Sequence, residues 1–421
     1  MDKPLSGIKV IDMSTFIAVP ACARLLAEFG AEVIKIESKG GDLVRFNGVS
    51  EGRLGSPYEN TTYDLENAHK RDLVINLKAP EGREILFKLL ETTDVFLTNW
   101  RPQALAKLGL DYESIKDRYP KLVYGAFTGY GETGPDCNLP GYDFTAFWAR
   151  GGIMGSLMQK GAEPINLVPG MGDHISGYFM ASGIMIALYK ALKTGKGDKV
   201  STSLLHSSIF IQGIPMQAAQ YKDLGQSYPI SRKDAENPFN NTYKTKDDRY
   251  LQLSMPPFDV FYPKFMPLIG REDLVGNTRY TMDSITKNHL HREFIEILEE
   301  AFLKKTAAEW LEIFAANDIP CSLCQVWEEV LEDKQAWAIG AFEEMDYPIS
   351  GKRAMVRPPV TLEGVEKLPY VRAPFLGEHS EEILRELGYT DEQLEEMHKN
   401  GIYNTWDDLR ERCGGQIPDL N

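Results

Sequence analysis

Ile8-Lys9-Val10-Ile11-Asp12, Ala18 to Phe29, and Ala31-Glu32-Val33-Ile34-Lys35-Ile36-Glu37 read as strand, helix and strand. The two flanking runs are short and apolar. Between them Ala21, Leu25, Leu26 and Phe29 share one helical face, and Gly30 is a natural stop. A βαβ unit crosses over right-handed and leaves its strands parallel. The same alternation continues outward: strand Leu73–Leu77, helix Pro80–Glu91 opened by its proline, strand Val95–Thr98, then a helical stretch and strand Leu122–Phe127. Strands separated by helices predict an α/β domain built on a parallel sheet.

The character changes near residue 226. Thr242–Lys246 and Tyr250–Met255 alternate in polarity around Asp247-Asp248-Arg249, a hairpin signal. Helical patterns follow at Val260–Ile269, Leu290–Phe302 and Ala307–Ala316. The reading is a large, Rossmann-like domain over 1–190, a linker over 191–225, a smaller α+β domain over 226–325, and a linker with a C-terminal segment over 326–421. That last part holds a hairpin region at Met345–Val360 and two short helices, Ser380–Leu387 and Thr390–Asn400.

Hydrophobic residues make up 43% of the 421 and charged residues 25%, enough apolar content for an unstapled core. The net charge of −15 argues against nucleic acid or an anionic membrane as partner, yet leaves room for one local basic pocket. Met1–Gly7 carries Asp2 and Lys3 with no apolar run behind it, so no secretory leader is expected. The longest uncharged apolar stretch, Ile175–Tyr189, falls short of the ~18 residues of a spanning helix and reads as a buried helix. Five scattered cysteines, Cys22, Cys137, Cys321, Cys324 and Cys413, make no disulfide framework. A soluble, cytoplasmic protein is expected.

Three motifs suggest chemistry that their surroundings argue against. Gly129-Tyr130-Gly131-Glu132-Thr133-Gly134 fits a dinucleotide fingerprint, but Pro135 follows at once where a helix should begin. Cys321-Ser322-Leu323-Cys324 has redox spacing but sits in an extended apolar run, so its thiols are expected buried on opposite strand faces. Lys193-Thr194-Gly195-Lys196-Gly197 lacks the Ser or Thr and the first glycine of a phosphate loop. The seven histidines are dispersed, and no metal site is expected.

Val168-Pro169-Gly170-Met171-Gly172-Asp173-His174-Ile175-Ser176-Gly177 is more informative. A glycine-rich loop delivers one carboxylate to the start of a long apolar helix, Ile175–Leu192. The macrodipole there favours the anion, and an ionised, positioned Asp can attack an activated acyl carbon. By spacing alone a plain N-cap is the commoner reading of Asp173.

The ordered series Pro4–Asp12, Leu26–Glu37, Asn76–Gly82, Gly129–Pro135, Ala373–His379 and Leu387–Tyr389 resembles the class III CoA-transferases, the family of formyl-CoA:oxalate and carnitine CoA-transferases. Asn60–Ala68, Thr98–Arg101, Phe147–Gly152, Gly172-Asp173-His174, Met255–Tyr262 and Asp333–Ala338 are similar to the 2-hydroxyacyl-CoA transferases of amino-acid fermentation. The resemblance implies that Asp173 is a nucleophile that carries anhydride and aspartyl-CoA intermediates. It also implies an interlocked homodimer whose large domain combines 1–190 with the C-terminal part. Coenzyme A, as acyl-CoA co-substrate, would be held by Ile17, Ala18, Lys39, Ile75, Asn76, Leu77, Lys78, Asn99, Trp100, Arg101, Lys107, Pro140, Gly141, Tyr142 and Asp143.

The chain departs from the family in two places. Ser38 stands where many relatives have a basic residue, leaving Lys39 to substitute. The glycine-run loop of the oxalate-type enzymes is replaced by Met255-Pro256-Pro257-Phe258, which is stiffer and more apolar. That favours a larger, partly hydrophobic acyl group, with Phe16, Met171 and Phe258 as pocket candidates or simply core. The expected activity is CoA transfer to a 2-hydroxy acid such as an aryl- or alkyl-lactate. Transfer to another carboxylate (carnitine, a bile acid) and 2-methylacyl-CoA racemisation are the alternatives. The racemase branch typically carries Gly-His-Asp where this chain has Gly141-Tyr142-Asp143.

Overall fold

The computed structural model describes residues 3–46, 52–56, 58–165, 167–221, 228–347 and 349–410; Cys413 and the start of the expected small domain lie outside them. β1 (Lys9–Met13), β2 (Glu32–Glu37), β3 (Arg71–Ile75), β4 (Val95–Thr98), β5 (Val123–Thr128) and β6 (Lys199–Ser203) form one sheet in the order β3-β2-β1-β4-β5-β6, every pair parallel. The chain winds outward from β1 in both directions. The switch point therefore falls between β1 and β4, where open α/β sheets bind ligands beyond their strand ends.

Both faces of the sheet are covered, which is why the strands read as nearly continuous apolar runs. On one side Ile11, Ile34, Ile36, Leu73 and Phe96 pack with Ile85, Leu86 and Leu89 of the helix Pro80–Leu90. On the other, Val10, Val33, Val95 and Leu97 pack with Val19, Cys22 and Leu26 of α1 (Ala18–Glu28) and with Met180, Ala181 and Ile184 of a 24-residue helix, Met171–Thr194. Gly177 permits the approach of these two helices, because a Cβ there would lie 2.3 Å from the Ala18 carbonyl oxygen.

Several expectations need correction. β3 ends two residues before Leu77, because the chain turns at Asn76, whose carbonyl accepts from Ala79 N–H at 3.0 Å. The long helix starts at Met171 rather than Ile175 and is long and apolar enough to cross a membrane by length and composition. Its Met180–Ile184 face nonetheless belongs to the sheet's core, and Ile186, Tyr189 and Leu192 are exposed, so it is buried on one face only. The stretch 191–225 contains β6 and the helix Leu204–Ile211. Lys199-Val200-Ser201-Thr202-Ser203 hid as a strand because it is polar, as an edge strand can be.

Charges are buried beneath the strand ends. Lys35 and Asp12 are fully buried; Lys35 pairs with Asp42 at 3.2 Å, and Lys70 with Asp12 at 2.7 Å. Arg45 pairs with Glu37 at 2.8 Å and Asp72 at 3.5 Å.

By compactness the chain divides into Met1–Ile153, Leu167–Gly213 and Lys334–Asn421 on the one hand and Met154–Asn166 with Ile214–Asp333 on the other. The second unit has a three-stranded antiparallel sheet, β7 (Thr242–Lys244), β8 (Tyr250–Leu253) and β9 (Cys321–Leu323), packed with helices Phe258–Leu268, His291–Phe302 and Ala307–Ala316. Cys324 lies past the end of β9 and is exposed, and Cys321 is half-buried, so the expected burial of both thiols does not hold. In the first unit, β10 (Phe342–Tyr347) and β11 (Gly351–Val356) form a separate hairpin. β12 (Tyr403–Asn404) joins the main sheet antiparallel to β3.

Candidate active site

Gly170, at φ +82°, caps the long helix, so Asp173 is the third residue of its first turn and not the N-cap. No side chain caps this end of the helix, whose macrodipole favours an anion there. The loop is held from below by Asp143, whose Oδ2 accepts from Gly170 N–H at 2.9 Å. Gly172 has no room for a side chain: a Cβ would fall 2.2 Å from Asp143 Oδ1 and 2.4 Å from Phe147 Cγ. Gly172→Ala is therefore expected to displace Asp173 and lower kcat by about 100-fold at unchanged substrate affinity, measured by steady-state kinetics.

Burial, and after it the neighbouring Asp143 charge, pushes the Asp173 carboxyl up to about 7. His174 pulls the other way. Its Nε2 lies 2.7 Å from Glu66 Oε1, on the helix α2 (Thr61–Asn67), and burial of the ring is outweighed by this partner, which raises the imidazole above its ordinary range. Burial likewise lifts Asp143, to about 6. The Glu66–His174 pair was not singled out from the sequence; Glu66 sits more than a hundred residues upstream in an ordinary helical pattern.

Asp173 lines a cavity of about 220 Å³ together with Phe16, Ala18, Asn99, Trp100, Arg101, Pro140, Gly141 and Tyr142. These come from the loops after β1, β4 and β5, on both sides of the switch point. A second cavity, of about 1070 Å³, is lined by Lys39, Ile75, Asn76, Leu77, Lys78 and Lys107, and again by Trp100, the one expected site residue common to both. Lys39, Lys78 and Lys107 are exposed and have no carboxylate partner among the described residues, an arrangement suited to phosphate groups.

Four expected residues stand elsewhere. Ile17 is the N-cap of α1, its Cδ1 3.2 Å from where a Gly170 Cβ would be. Asp143 is turned to the glycine loop. Met171 is the exposed first residue of the long helix. Phe258 is buried in the core of the second unit, stacked on Phe239 with centroids 4.4 Å apart. Asn99 lines the smaller cavity but spends its amide on the backbone of Thr15, accepting from its N–H at 3.0 Å and donating to its carbonyl at 2.7 Å. Among the described residues no group of three or more His, Cys, Asp or Glu could hold a metal ion.

Comparison with known proteins agrees with this geometry. The cinnamoyl-CoA:phenyllactate CoA-transferase of Clostridium sporogenes is 51% identical over 395 residues, 94% of this chain and 96% of that one. The (R)-2-hydroxy-4-methylpentanoate CoA-transferase of Clostridioides difficile is 41% identical over 93% of this chain and 97% of its own. A formyl-CoA:oxalate CoA-transferase of Rhodopseudomonas palustris is more distant, at 29% over 95% and 97%. Among solved structures, a CAIB/BAIF family protein from Brucella suis superimposes with a TM-score of 0.78 at 28% identity, covering 92% of this chain and all of that one. The family model described as CoA-transferase family III matches residues 5–380. By that match over most of its length and by the identity of these relatives, this chain belongs to CoA-transferase family III.

Proposed function

We propose that this transferase moves CoA from an acyl-CoA to a 2-hydroxy acid with an aryl or branched alkyl side chain, using Asp173 as covalent relay. The observation that carries the reading is the cavity in which Asp173 faces the aromatic residues Phe16, Trp100 and Tyr142. The substrates named for the two relatives above support the hydroxy acid.

The Asp173 carboxylate attacks the donor thioester, breaking its C–S bond and giving a mixed anhydride and CoA thiolate. The thiolate attacks the aspartyl carbonyl and releases the donor acid, leaving an aspartyl-CoA thioester. The acceptor carboxylate expels the thiolate from that thioester, and the thiolate then takes the acceptor acyl group and returns Asp173 as carboxylate. Anhydrides hydrolyse, so the enclosure of the carboxyl protects the yield. Backbone N–H groups of the first helical turn would stabilise the oxyanions, the Gly170 N–H being already held by Asp143. Lys39, Lys78 and Lys107 would take the CoA phosphates, with Trp100 against the bound nucleotide or pantetheine arm.

The working form is proposed to be the interlocked homodimer, in the cytoplasm. Ile186, Tyr189, Leu192 and Phe210 support it: each is at least 62% exposed on the long helix and the helix after β6, more apolar surface than one chain covers alone. A panel of aryl-lactates, branched 2-hydroxy acids, carnitine and bile acids, offered with several CoA donors, tests the substrate class. Turnover is expected with the first two groups, and selective use of carnitine or a bile acid overturns it.

A further inference from the structure

Phe16 adopts φ +64°, a left-handed conformation unusual for a bulky side chain, in the lining of the Asp173 cavity. Three side chains hold the backbone around it. Asn99 clamps Thr15 through the two hydrogen bonds of its amide, at 3.0 and 2.7 Å. Asp42, almost fully buried, accepts from Phe16 N–H at 3.2 Å. Lys35, also buried, donates to the Ser14 carbonyl at 3.0 Å and pairs with Asp42 at 3.2 Å. The Phe16 ring meets Tyr142 edge-to-face, centroids 5.5 Å apart and planes at 76°. A strained aromatic so thoroughly held beside the nucleophile is over-determined for a packing role.

We infer that Phe16 and Tyr142 form the wall that selects the acyl side chain, and that Asn99 is a positioning residue that sets Phe16 in that wall rather than a contact for CoA. The inference rests on the hydroxy-acid reading above and names residues that would favour its aryl acceptors over short alkyl ones. An aryl side chain offers a face to the edge-to-face pair that a short alkyl chain lacks. Asn99 acts through Thr15, and removing its amide frees the loop to relax from the left-handed conformation.

The test measures kcat/KM of the full-length enzyme for phenyllactate and for 2-hydroxybutyrate with one acyl-CoA donor. Phe16→Asn keeps a residue that tolerates positive φ while deleting the ring, and is expected to lower the aryl-over-alkyl ratio by about tenfold or more. Asn99→Ala is expected to lower that ratio by a similar factor, and the double variant no further, since both act on one ring. A ratio left unchanged by Asn99→Ala, with KM for the donor raised equally for both acids, overturns the inference. So does full additivity of the two substitutions. Wild-type enzyme that transfers CoA to neither acid overturns the hydroxy-acid reading itself, and this inference with it. Should Asn99→Ala unfold, Phe16→Asn alone decides: a lowered ratio supports the wall and an unchanged ratio overturns it.

Discussion

Asp173→Ala is expected to abolish CoA transfer, with kcat down by on the order of 10⁴-fold or more, because among the described residues no other carboxylate lines the cavity to form the anhydride. Hydroxylamine added with an acyl-CoA donor should convert Asp173 to a hydroxamate in the wild type and leave the variant unmodified, read by peptide mass. An Asp173→Ala variant that still transfers CoA would show that the carboxylate is not the relay. The pH dependence follows from the site's electrostatics. Only the carboxylate attacks, and burial with Asp143 nearby pushes its pKa up to about 7. Activity should therefore rise with pH through a limb near 7, and Asp143→Asn should move that limb to lower pH by removing the neighbouring negative charge. The sign for stability is opposite. The folded state binds this proton more tightly than the unfolded chain, so ionising Asp173 opposes folding as pH rises from about 4 to 7. Asp173→Asn should accordingly raise the melting temperature at pH 8 and not at pH 4.

The largest loss of stability is expected from Lys35→Ala. The ammonium is fully buried, 3.2 Å from Asp42, and it donates to Ser14. Asp12 and Glu37 also contribute to holding it charged. Its removal leaves Asp42 buried without its cation, which costs about 3–5 kcal/mol. Chemical denaturation should show a lower midpoint with an unchanged slope. Lys35→Met, which restores the volume but not the charge, should recover little, since the cost lies in the stranded carboxylate rather than in a cavity. An equal recovery by Met would refute that account.

The central sheet was legible because its strands are buried on both faces and its helices carry one apolar stripe. The Val95–Thr98 strand and the Ala307–Ala316 helix fall where periodicity put them. β6 was hidden by its polar residues, and β12 by its length of two residues, too short to carry any period. In the site, the glycine spacing around Asp173 was readable, because Gly170 needs positive φ and Gly172 needs the absence of a Cβ. The ion pair of His174 with Glu66 was not, since a contact across more than a hundred residues leaves no local pattern. Asn99 was located but its use was not: the sequence places an amide after a strand, and only the fold aims it at Thr15.

β12 has a consequence for how the chain is made. Residues 403 and 404 supply the backbone partners that β3 lacks on its outer side. A ribosome releases β3 long before them, and the whole Ile214–Asp333 unit emerges in between. During that interval one rim of the sheet is open to any passing extended segment. Shortening the chain before Tyr403 would make that temporary exposure permanent, so the two residues of β12 act as the sheet's seal against self-association, in addition to placing Asn404 in the lining of the larger cavity.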